Sequence, residues 1–245
     1  MEILVKENSY KIDIDYKSDD KLKDFLRGRS ETKFLIITDE NVFSLYEDRI
    51  KSIMKGLEYF IFKITPGEES KSIENFVEIN KFLVENNFNR GDAIIAFGGG
   101  VVGDLGGYVA ASYLRGIDFL AVPTTLLSMI DSSVGGKNGI NFMNLKNQIG
   151  SFYFPKYVHI DYSFLETLDE RNINNGLAEI FKYSVLKDRE LFDYLKTADD
   201  LDYEMIIYKS LNIKLDFVRD DERDKGKRQK LNLGHTTVSY THLWA

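Results

Sequence analysis

Short apolar runs that end in polar or glycine-rich turns dominate the first two thirds of the chain. The runs at 33–38, 57–64, 92–97 and 117–122 predict four buried strands. Between the second and third runs, apolar residues recur every three or four positions and predict a helix, which Ser72 caps and Asn86-Asn87 ends. Strands that alternate with helices indicate an open, mostly parallel α/β sheet.

The pattern changes near Leu168. From there to His235 the apolar spacing is helical, and no segment has the pattern of a strand. We therefore predict two domains, an α/β domain at residues 1–168 and an α-helical domain at residues 169–245.

Composition limits the class of protein. The 245 residues are 43% hydrophobic and 29% charged, as in ordinary globular proteins. No apolar run approaches the roughly 20 residues that cross a bilayer, and the N-terminus lacks the pattern of a signal peptide. We expect a cytoplasmic protein without a membrane partner.

Charge and cysteine content exclude further classes. A net charge of −7 argues against a nucleic-acid partner. With no cysteine, a metal site would need His, Asp or Glu. Of the three histidines, His159 is predicted to be a half-buried strand residue, and His242 lies near the end of the chain.

Polar turns follow all four predicted strands, namely Asp39, Gly67-Glu68, Gly98–Asp104 and Thr124-Thr125. Ligands of parallel sheets bind beyond the carboxyl ends of the strands, so these turns predict one site. Two interpretations of the glycines stay open, since they suit either a pyrophosphate at a helix N-terminus or simple tight turns. Asp104 and the threonines likewise suit either ligand contacts or helix caps.

Charged residues add candidates. Lys137 follows two glycines and Lys146 precedes Asn147, and both lysines are predicted to face the strand ends, where they would pair with a phosphate or carboxylate. Glu179 and Lys182 share a helix face, for which a structural ion pair is the ordinary interpretation. The run 219–228 carries both signs, which is typical of a solvated loop.

Taken together, these segments resemble the 3-dehydroquinate synthases, sugar-phosphate cyclases of the shikimate pathway. The ordered set is specific although each motif alone is weak. The resemblance covers residues 33–236 and is carried by Gly98–Asp104 (GGGVVGD), Pro123–Leu127 (PTTLL), Asp131–Lys137 (DSSVGGK), Leu145–Gly150 (LKNQIG), Gly176–Tyr183 (GLAEIFKY) and Leu231–Thr236 (LNLGHT).

The resemblance implies an N-terminal NAD-binding α/β domain, an α-helical C-terminal domain and an active site between them. It also implies NAD, a divalent metal ion (usually zinc, with cobalt as the alternative) and a homodimer. The substrate would be 3-deoxy-D-arabino-heptulosonate 7-phosphate. The family converts it to 3-dehydroquinate and phosphate by transient oxidation, elimination of phosphate, reduction and intramolecular aldol closure.

The resemblance also implies roles for individual residues. Glu179 and His235 would be metal ligands, and Arg115 would reach the substrate site of the partner subunit. The residues implied for the substrate are Asp131, Lys137, Lys146, Asn147, Lys182, Lys214, Arg228 and Asn232. Those implied for NAD are Asp39, Glu68, Lys71, Gly99, Gly100, Asp104, Thr124, Thr125, Lys146 and Thr167. Arg228 thus gives the charge run a function.

The chain departs from the family pattern after Thr236. Ser239 stands where the family has a second histidine, and the third metal ligand has no counterpart in the atypical segment 237–245. Family members extend roughly a hundred residues further, so the helical domain is expected to be incomplete. His242 is a poor substitute, and catalytic zinc sites normally have three protein ligands. We expect this chain to be inactive or weakly active.

Three alternatives stay open from the sequence alone. Another sugar-phosphate cyclase, such as a 2-deoxy-scyllo-inosose or valiolone synthase, would share the scaffold. A metal-dependent polyol dehydrogenase would release NADH. A non-catalytic remnant would bind NAD without turnover.

Overall fold

A seven-stranded sheet forms the centre of the structure, a computed structural model that describes residues 1–5, 10–29 and 32–234. The strands are β1 (Glu2–Val5), β2 (Tyr10–Asp15), β3 (Phe34–Asp39), β4 (Tyr59–Ile64), β5 (Ala93–Gly98), β6 (Asp118–Pro123), β7 (Lys137–Phe142), β8 (Leu145–Phe152) and β9 (Tyr157–Asp161). The sheet has the order β1-β2-β9-β6-β5-β3-β4, whereas β7 and β8 form a separate antiparallel hairpin.

Helices cover the sheet and make up the C-terminal part. They are α1 (Asp19–Arg27), α2 (Glu40–Ile53), α3 (Ile73–Glu85), α4 (Gly100–Ser112), α5 (Glu170–Lys187), α6 (Arg189–Thr197) and α7 (Tyr203–Asp220). Short 3-10 turns lie at Glu68–Ser70, Tyr113–Arg115, Tyr162–Thr167 and Lys227–Asn232, and a π-helical turn lies at Ser128–Ser132.

The sheet is parallel except for β1, which pairs antiparallel with β2. Strand β5 lies inside the sheet, where Ile95 is opposite Ile36 of β3 and Leu120 of β6. All three side chains are buried, as expected for a parallel sheet that is covered on both faces. The continuous apolar runs in the sequence reflect this burial.

The structure confirms the predicted α/β class, the four strands and the helix after Ser72. The Ser72 hydroxyl accepts from the Asn75 amide at 3.2 Å, and the helix ends at Glu85. The strand ends differ by one or two residues from the predicted runs. The sequence analysis did not identify β1, β2 or the β7–β8 hairpin.

His159 corrects one prediction. It lies in strand β9, but its side chain is fully buried rather than half-buried, with 1% exposure. The reason is that β9 lies inside the sheet, between β2 and β6.

The C-terminal part is helical, as predicted. From residue 162 to residue 234 the described chain holds α5, α6, α7 and 3-10 turns but no strand. The division into domains at residue 168 stays a prediction. Within the described ranges, no helix has the length and apolar character needed to span a membrane.

Candidate active site

Polar residues follow the carboxyl ends of four neighbouring strands. Asp39 ends β3 and caps α2, because its carboxylate accepts from the Val42 amide at 2.9 Å. Glu68 follows β4 and accepts from the Asn141 side chain of β7 at 3.0 Å. The ends of β5 and β6 bring the glycine turn and Thr124 to the same edge of the sheet. The strand ends therefore form one surface, as the sequence predicted.

The glycine turn places the N-terminus of α4 directly after β5. A Cβ on Gly99 would come within 3.2 Å of the Thr125 side chain, and one on Gly100 within 3.1 Å of Ser132 Oγ. The absence of side chains thus keeps this helix N-terminus accessible from the strand ends. Main-chain amides and the helix dipole make such a position suitable for a phosphate.

Two buried hydroxyls flank this turn. Thr38 of β3 and Thr124 after β6 are 0% and 4% exposed, and their Oγ1 atoms have no hydrogen-bond partner among the described residues. The Thr124 amide donates to the Gly98 carbonyl at 3.0 Å, which fixes Thr124 beside the glycines. Unsatisfied hydroxyls beside a helix N-terminus fit a ligand with phosphate and ribose groups. The residues present therefore fit NAD.

Asp104 lies inside α4, so the interpretation as a helix cap is wrong. Its carboxylate accepts from Lys71 Nζ at 2.6 Å, and Lys71 also donates to the Asn147 side chain on the hairpin. Burial raises the pKa of Asp104, and the Lys71 ammonium opposes this effect. Lys71 therefore links the helix after the glycine turn to the β7–β8 hairpin.

A cavity of about 530 Å³ lies between the hairpin and the helical part of the chain. It brings together residues that are more than one hundred positions apart in the sequence. The predicted site residues that line it are Asp104, Asp131, Lys137, Asn147, Glu179, Lys214, Arg228 and Asn232.

Asp131 and Lys214 form an ion pair at this cavity. Lys214 of α7 is 4% exposed, and its Nζ donates to both the main-chain oxygen and Oδ1 of Asp131. The Tyr183 hydroxyl donates to the same Oδ1 at 2.6 Å. Since both of these side-chain hydrogen bonds reach Oδ1, Oδ2 is the carboxylate oxygen available to a ligand.

The ion pair sets the protonation of Asp131. Burial alone would raise the pKa of this carboxyl, but the charge of Lys214 and the hydrogen bonds from Lys214 and Tyr183 outweigh burial and hold the pKa at about 2. Burial lowers the pKa of Lys214, and ionised Asp131 limits that fall. Asp131 is therefore a carboxylate at neutral pH and accepts hydrogen bonds from hydroxyls.

Arg228 is held differently. It is 4% exposed and donates to two neutral main-chain oxygens, those of Glu222 at 2.8 Å and Gly135 at 3.1 Å. Burial lowers the pKa of Arg228, and Asp224 and Asp131 oppose this effect. Because its direct partners are neutral, the guanidinium contributes positive charge to the cavity.

Glu179 and Lys182 form the ion pair that their spacing predicts, at 2.5 Å. Lys182 also donates to the Leu231 carbonyl at 2.5 Å. The second predicted metal ligand, His235, lies outside the described residues, as do Ser239 and His242. Among the residues that the structure describes, no three His, Asp or Glu side chains form a group that could hold a metal ion.

Other predicted residues lie away from the cavity. Lys146 is exposed on the hairpin, and Arg115 is exposed in a turn with a left-handed φ of 69°. Thr167 bonds to the Tyr46 hydroxyl. Thr125 accepts from the Ser128 amide at 3.2 Å, where the π-helical turn begins.

Two residues of the cavity region were missed in the sequence analysis. Tyr183 lies four residues after Glu179, on the same face of α5, and this spacing could have identified it. Asp224, which lines the cavity and binds Lys137, lies in the charge run. No sequence signal distinguishes Asp224 from the acidic residues around it.

The chain is similar to known proteins along most of its length. Two family models match consecutive parts of the chain, the 3-dehydroquinate synthase N-terminal model at residues 61–175 and the C-terminal model at residues 176–240. The chain belongs to the 3-dehydroquinate synthase family.

Individual 3-dehydroquinate synthases are clearly similar in sequence. The enzyme of Clostridium beijerinckii is 46% identical over 83% of this chain and 60% of its own length. That of Clostridium tetani is 43% identical over 94% of this chain and 64% of its own length. The chain thus spans less than two thirds of the length of these relatives.

Solved structures show the same fold. A 2-deoxy-scyllo-inosose synthase, complexed with carbaglucose-6-phosphate, NAD+ and Co2+, has a TM-score of 0.88 and 23% identity, over 99% of this chain and 70% of that one. A 2-epi-5-epi-valiolone synthase from Streptomyces hygroscopicus, with NAD+ and Zn2+ bound, has a TM-score of 0.82 and 28% identity. The match covers 95% of this chain and 68% of that one. A glycerol dehydrogenase from Schizosaccharomyces pombe is more distant, with a TM-score of 0.56 and 19% identity. The match covers 71% of this chain and 42% of that one.

Proposed function

We propose that this chain carries the NAD-binding domain and the greater part of the substrate site of a 3-dehydroquinate synthase. The reaction converts 3-deoxy-D-arabino-heptulosonate 7-phosphate to 3-dehydroquinate and inorganic phosphate. The family membership supports this proposal, and the chemistry of the cavity agrees with it.

One observation carries the proposal. A single cavity gathers three cations, Lys137, Lys214 and Arg228, with four carboxylates, those of Asp104, Asp131, Glu179 and Asp224. The substrate is a polyol that has a carboxylate at one end and a phosphate at the other. Cations suit its two anionic groups, and carboxylates suit its hydroxyls.

Within this site we assign binding and orienting roles. Arg228 and Lys137 would bind the anionic groups of the substrate. Asp131 would accept a hydrogen bond from a substrate hydroxyl through Oδ2, because Lys214 and Tyr183 both occupy Oδ1. Because these two bonds fix Oδ1, Oδ2 is already oriented before the substrate binds. This lowers the entropic cost of ordering the Asp131 side chain on binding.

We place NAD at the strand ends, over the glycine turn. The amides at the start of α4 would hold its pyrophosphate, and the buried Thr38 and Thr124 hydroxyls would gain hydrogen-bond partners. NAD supplies the acceptor and donor of hydride for the transient oxidation. Lys71, which contacts both Asp104 and Asn147, would connect this region to the substrate cavity.

For the metal ion the described residues supply one predicted ligand, Glu179. A divalent ion would hold and acidify neighbouring hydroxyls of the substrate. His235, the second predicted ligand, lies outside the described residues. The homodimer and the cytoplasmic location stay predictions.

The rival functions differ in measurable products. Another sugar-phosphate cyclase would act on a substrate without a carboxylate, which would engage fewer of the three cations in the cavity. A polyol dehydrogenase would accumulate NADH, whereas a cyclase returns the hydride within each turnover.

The test is release of inorganic phosphate from 3-deoxy-D-arabino-heptulosonate 7-phosphate by the purified chain with NAD+ and Zn2+. A second sample carries the chain extended to the length of its relatives, and Asp131→Asn in both serves as the control. We expect release that depends on Asp131 in at least the extended sample. No release from either sample, with NADH formed from polyols, would overturn the proposal.

A further inference from the structure

Lys137 and Asp224 form an ion pair between two parts of the chain that line the cavity. Lys137 is the first residue of β7, and Asp224 lies in the turn after α7. Lys137 Nζ contacts Asp224 Oδ2, and the side chains are 46% and 15% exposed. The more accessible partner is therefore the cation.

The turn that carries Asp224 is ordered by a second carboxylate. Asp221 accepts from the amides of Lys225 at 2.9 Å, Gly226 at 2.6 Å and Arg228 at 3.2 Å. Asp224 itself has a left-handed backbone, with φ of 55°, a conformation that aspartate adopts more readily than most residues other than glycine. The chain thus holds this carboxylate in a defined position at the cavity.

Asp224 is incompletely satisfied in that position. Its Oδ1 atom is buried and has no hydrogen-bond partner among the described residues. A buried acceptor without a donor is destabilising, and so is a left-handed aspartate. This position therefore has a cost in folding stability, which the charges of Lys137 and Arg228 offset.

The three cations of the cavity differ in how their charge is balanced. Lys214 is paired with buried Asp131, and Arg228 donates to two neutral carbonyls. The charge of Lys137 is balanced by Asp224, which lies on a different segment. An anionic ligand that binds Lys137 must therefore compete with Asp224.

We propose that Asp224 is an internal counter-ion that sets the affinity of the cavity for anions. A phosphate or carboxylate group of the ligand displaces it from Lys137, and ligands without a strong anionic group do not. This inference rests on the proposed function, since that function supplies the anionic ligand. It identifies Asp224 as a residue that determines the affinity of the substrate site for anions.

A double-mutant cycle with inorganic phosphate tests this role. Phosphate is titrated by calorimetry into the wild-type chain, Asp224→Asn, Lys137→Met and the double variant. Removing the competing carboxylate is expected to tighten phosphate binding about fivefold to tenfold. In the Lys137→Met background the same substitution is expected to have a much smaller effect, because the paired cation is gone and only the weaker influence of Asp224 on Arg228 remains.

Asp216→Asn is the matched control, because it removes a carboxylate from an exposed ion pair with Lys187 on the same helical part of the chain. Its phosphate affinity is expected to equal that of the wild type. Circular dichroism establishes that each variant is folded, and Lys137→Gln replaces Lys137→Met if the latter does not fold.

Three results would overturn the inference. They are unchanged or weaker phosphate binding in Asp224→Asn, a gain of undiminished size without Lys137, and no phosphate binding by any variant. The titration needs neither NAD nor turnover. Failure of the proposed function would instead appear as the absence of phosphate release from the sugar-phosphate substrate.

Discussion

The buried pair Asp131–Lys214 leads to a quantitative prediction about the site. In Asp131→Asn the Lys214 ammonium stays buried but loses the carboxylate, and only neutral acceptors remain. Breaking a buried pair by removing one partner costs about 3–5 kcal/mol. Because the Asp131 side chain is 34% exposed to the cavity, we expect the lower end, about 3 kcal/mol.

The reciprocal change is expected to cost less. In Lys214→Met the Asp131 carboxylate keeps the Tyr183 hydrogen bond at 2.6 Å and its access to the cavity. We expect a loss of about 1–2 kcal/mol, in the range of a hydrogen bond to a charged group. The double variant Asp131→Asn, Lys214→Met leaves no buried charge, so it is expected to be more stable than Asp131→Asn alone.

Urea unfolding followed by circular dichroism measures the free energy of unfolding of all four proteins. The coupling energy between the two sites is expected to be about 2–3 kcal/mol in favour of the pair. A cost below about 1 kcal/mol for Asp131→Asn would refute the reasoning, because a loss that small is typical of a solvated ion pair. Additive costs in the double variant would refute it as well.

Three further predictions concern single residues. Thr124→Val removes a buried hydroxyl without a partner, so it is expected to leave the melting temperature unchanged but to weaken NAD+ binding about fivefold to tenfold in a fluorescence titration. Thr197→Val, at the exposed end of α6, is the control, and equal NAD+ affinity in the two variants would contradict the placement of NAD. In Gly107→Ala the new Cβ would lie 2.0 Å from Asn138 Oδ1. Since Asn138 is held by two hydrogen bonds to main-chain oxygens, we expect the free energy of unfolding to fall by about 2 kcal/mol. An unchanged melting temperature would contradict this. Burial lowers the pKa of His159 to about 4, below its value of about 6.5 in the unfolded chain. The fold therefore favours the neutral ring, and stability is lost as the pH falls from about 6.5 to 4, by about 3 kcal/mol in total. Unfolding curves of His159→Gln are expected to lack this contribution, and a pH dependence equal to that of the wild type would exclude it.

The sheet was predictable because its strands are buried on both faces. Residues 93–97, which precede Gly98, are all apolar, so their burial could be inferred without knowledge of the neighbouring strands. His159 shows the limit of this inference. Its neighbours Val158 and Ile160 indicate a strand, but whether a polar residue there is covered depends on the strands that pair on either side.

The candidate site was predictable at the strand ends and less so at the hairpin. Asp39 and the glycines follow apolar runs, and this position alone places them at one edge of the sheet. The β7–β8 turn has left-handed Met143 and Asn144, and methionine gives no sequence signal for that conformation. Because the hairpin was not predicted, the contact between Lys71 and Asn147 could not be predicted either.

The partner of Lys137 was unpredictable for a related reason. Asp224 lies 87 residues further along the chain, in a run where acidic and basic residues alternate. Its position depends on the turn that Asp221 orders through main-chain amides. Spacing in the sequence does not reveal such a turn.

A crystal structure of the chain with NAD+ and 3-deoxy-D-arabino-heptulosonate 7-phosphate tests the central claim most directly. We predict NAD+ over the glycine turn at Gly99, with its pyrophosphate at the start of α4. We also predict the substrate in the cavity, with an anionic group on Arg228 and a hydroxyl on Asp131 Oδ2. Density for either ligand elsewhere, with this cavity filled only by solvent, would contradict the assignment of the site.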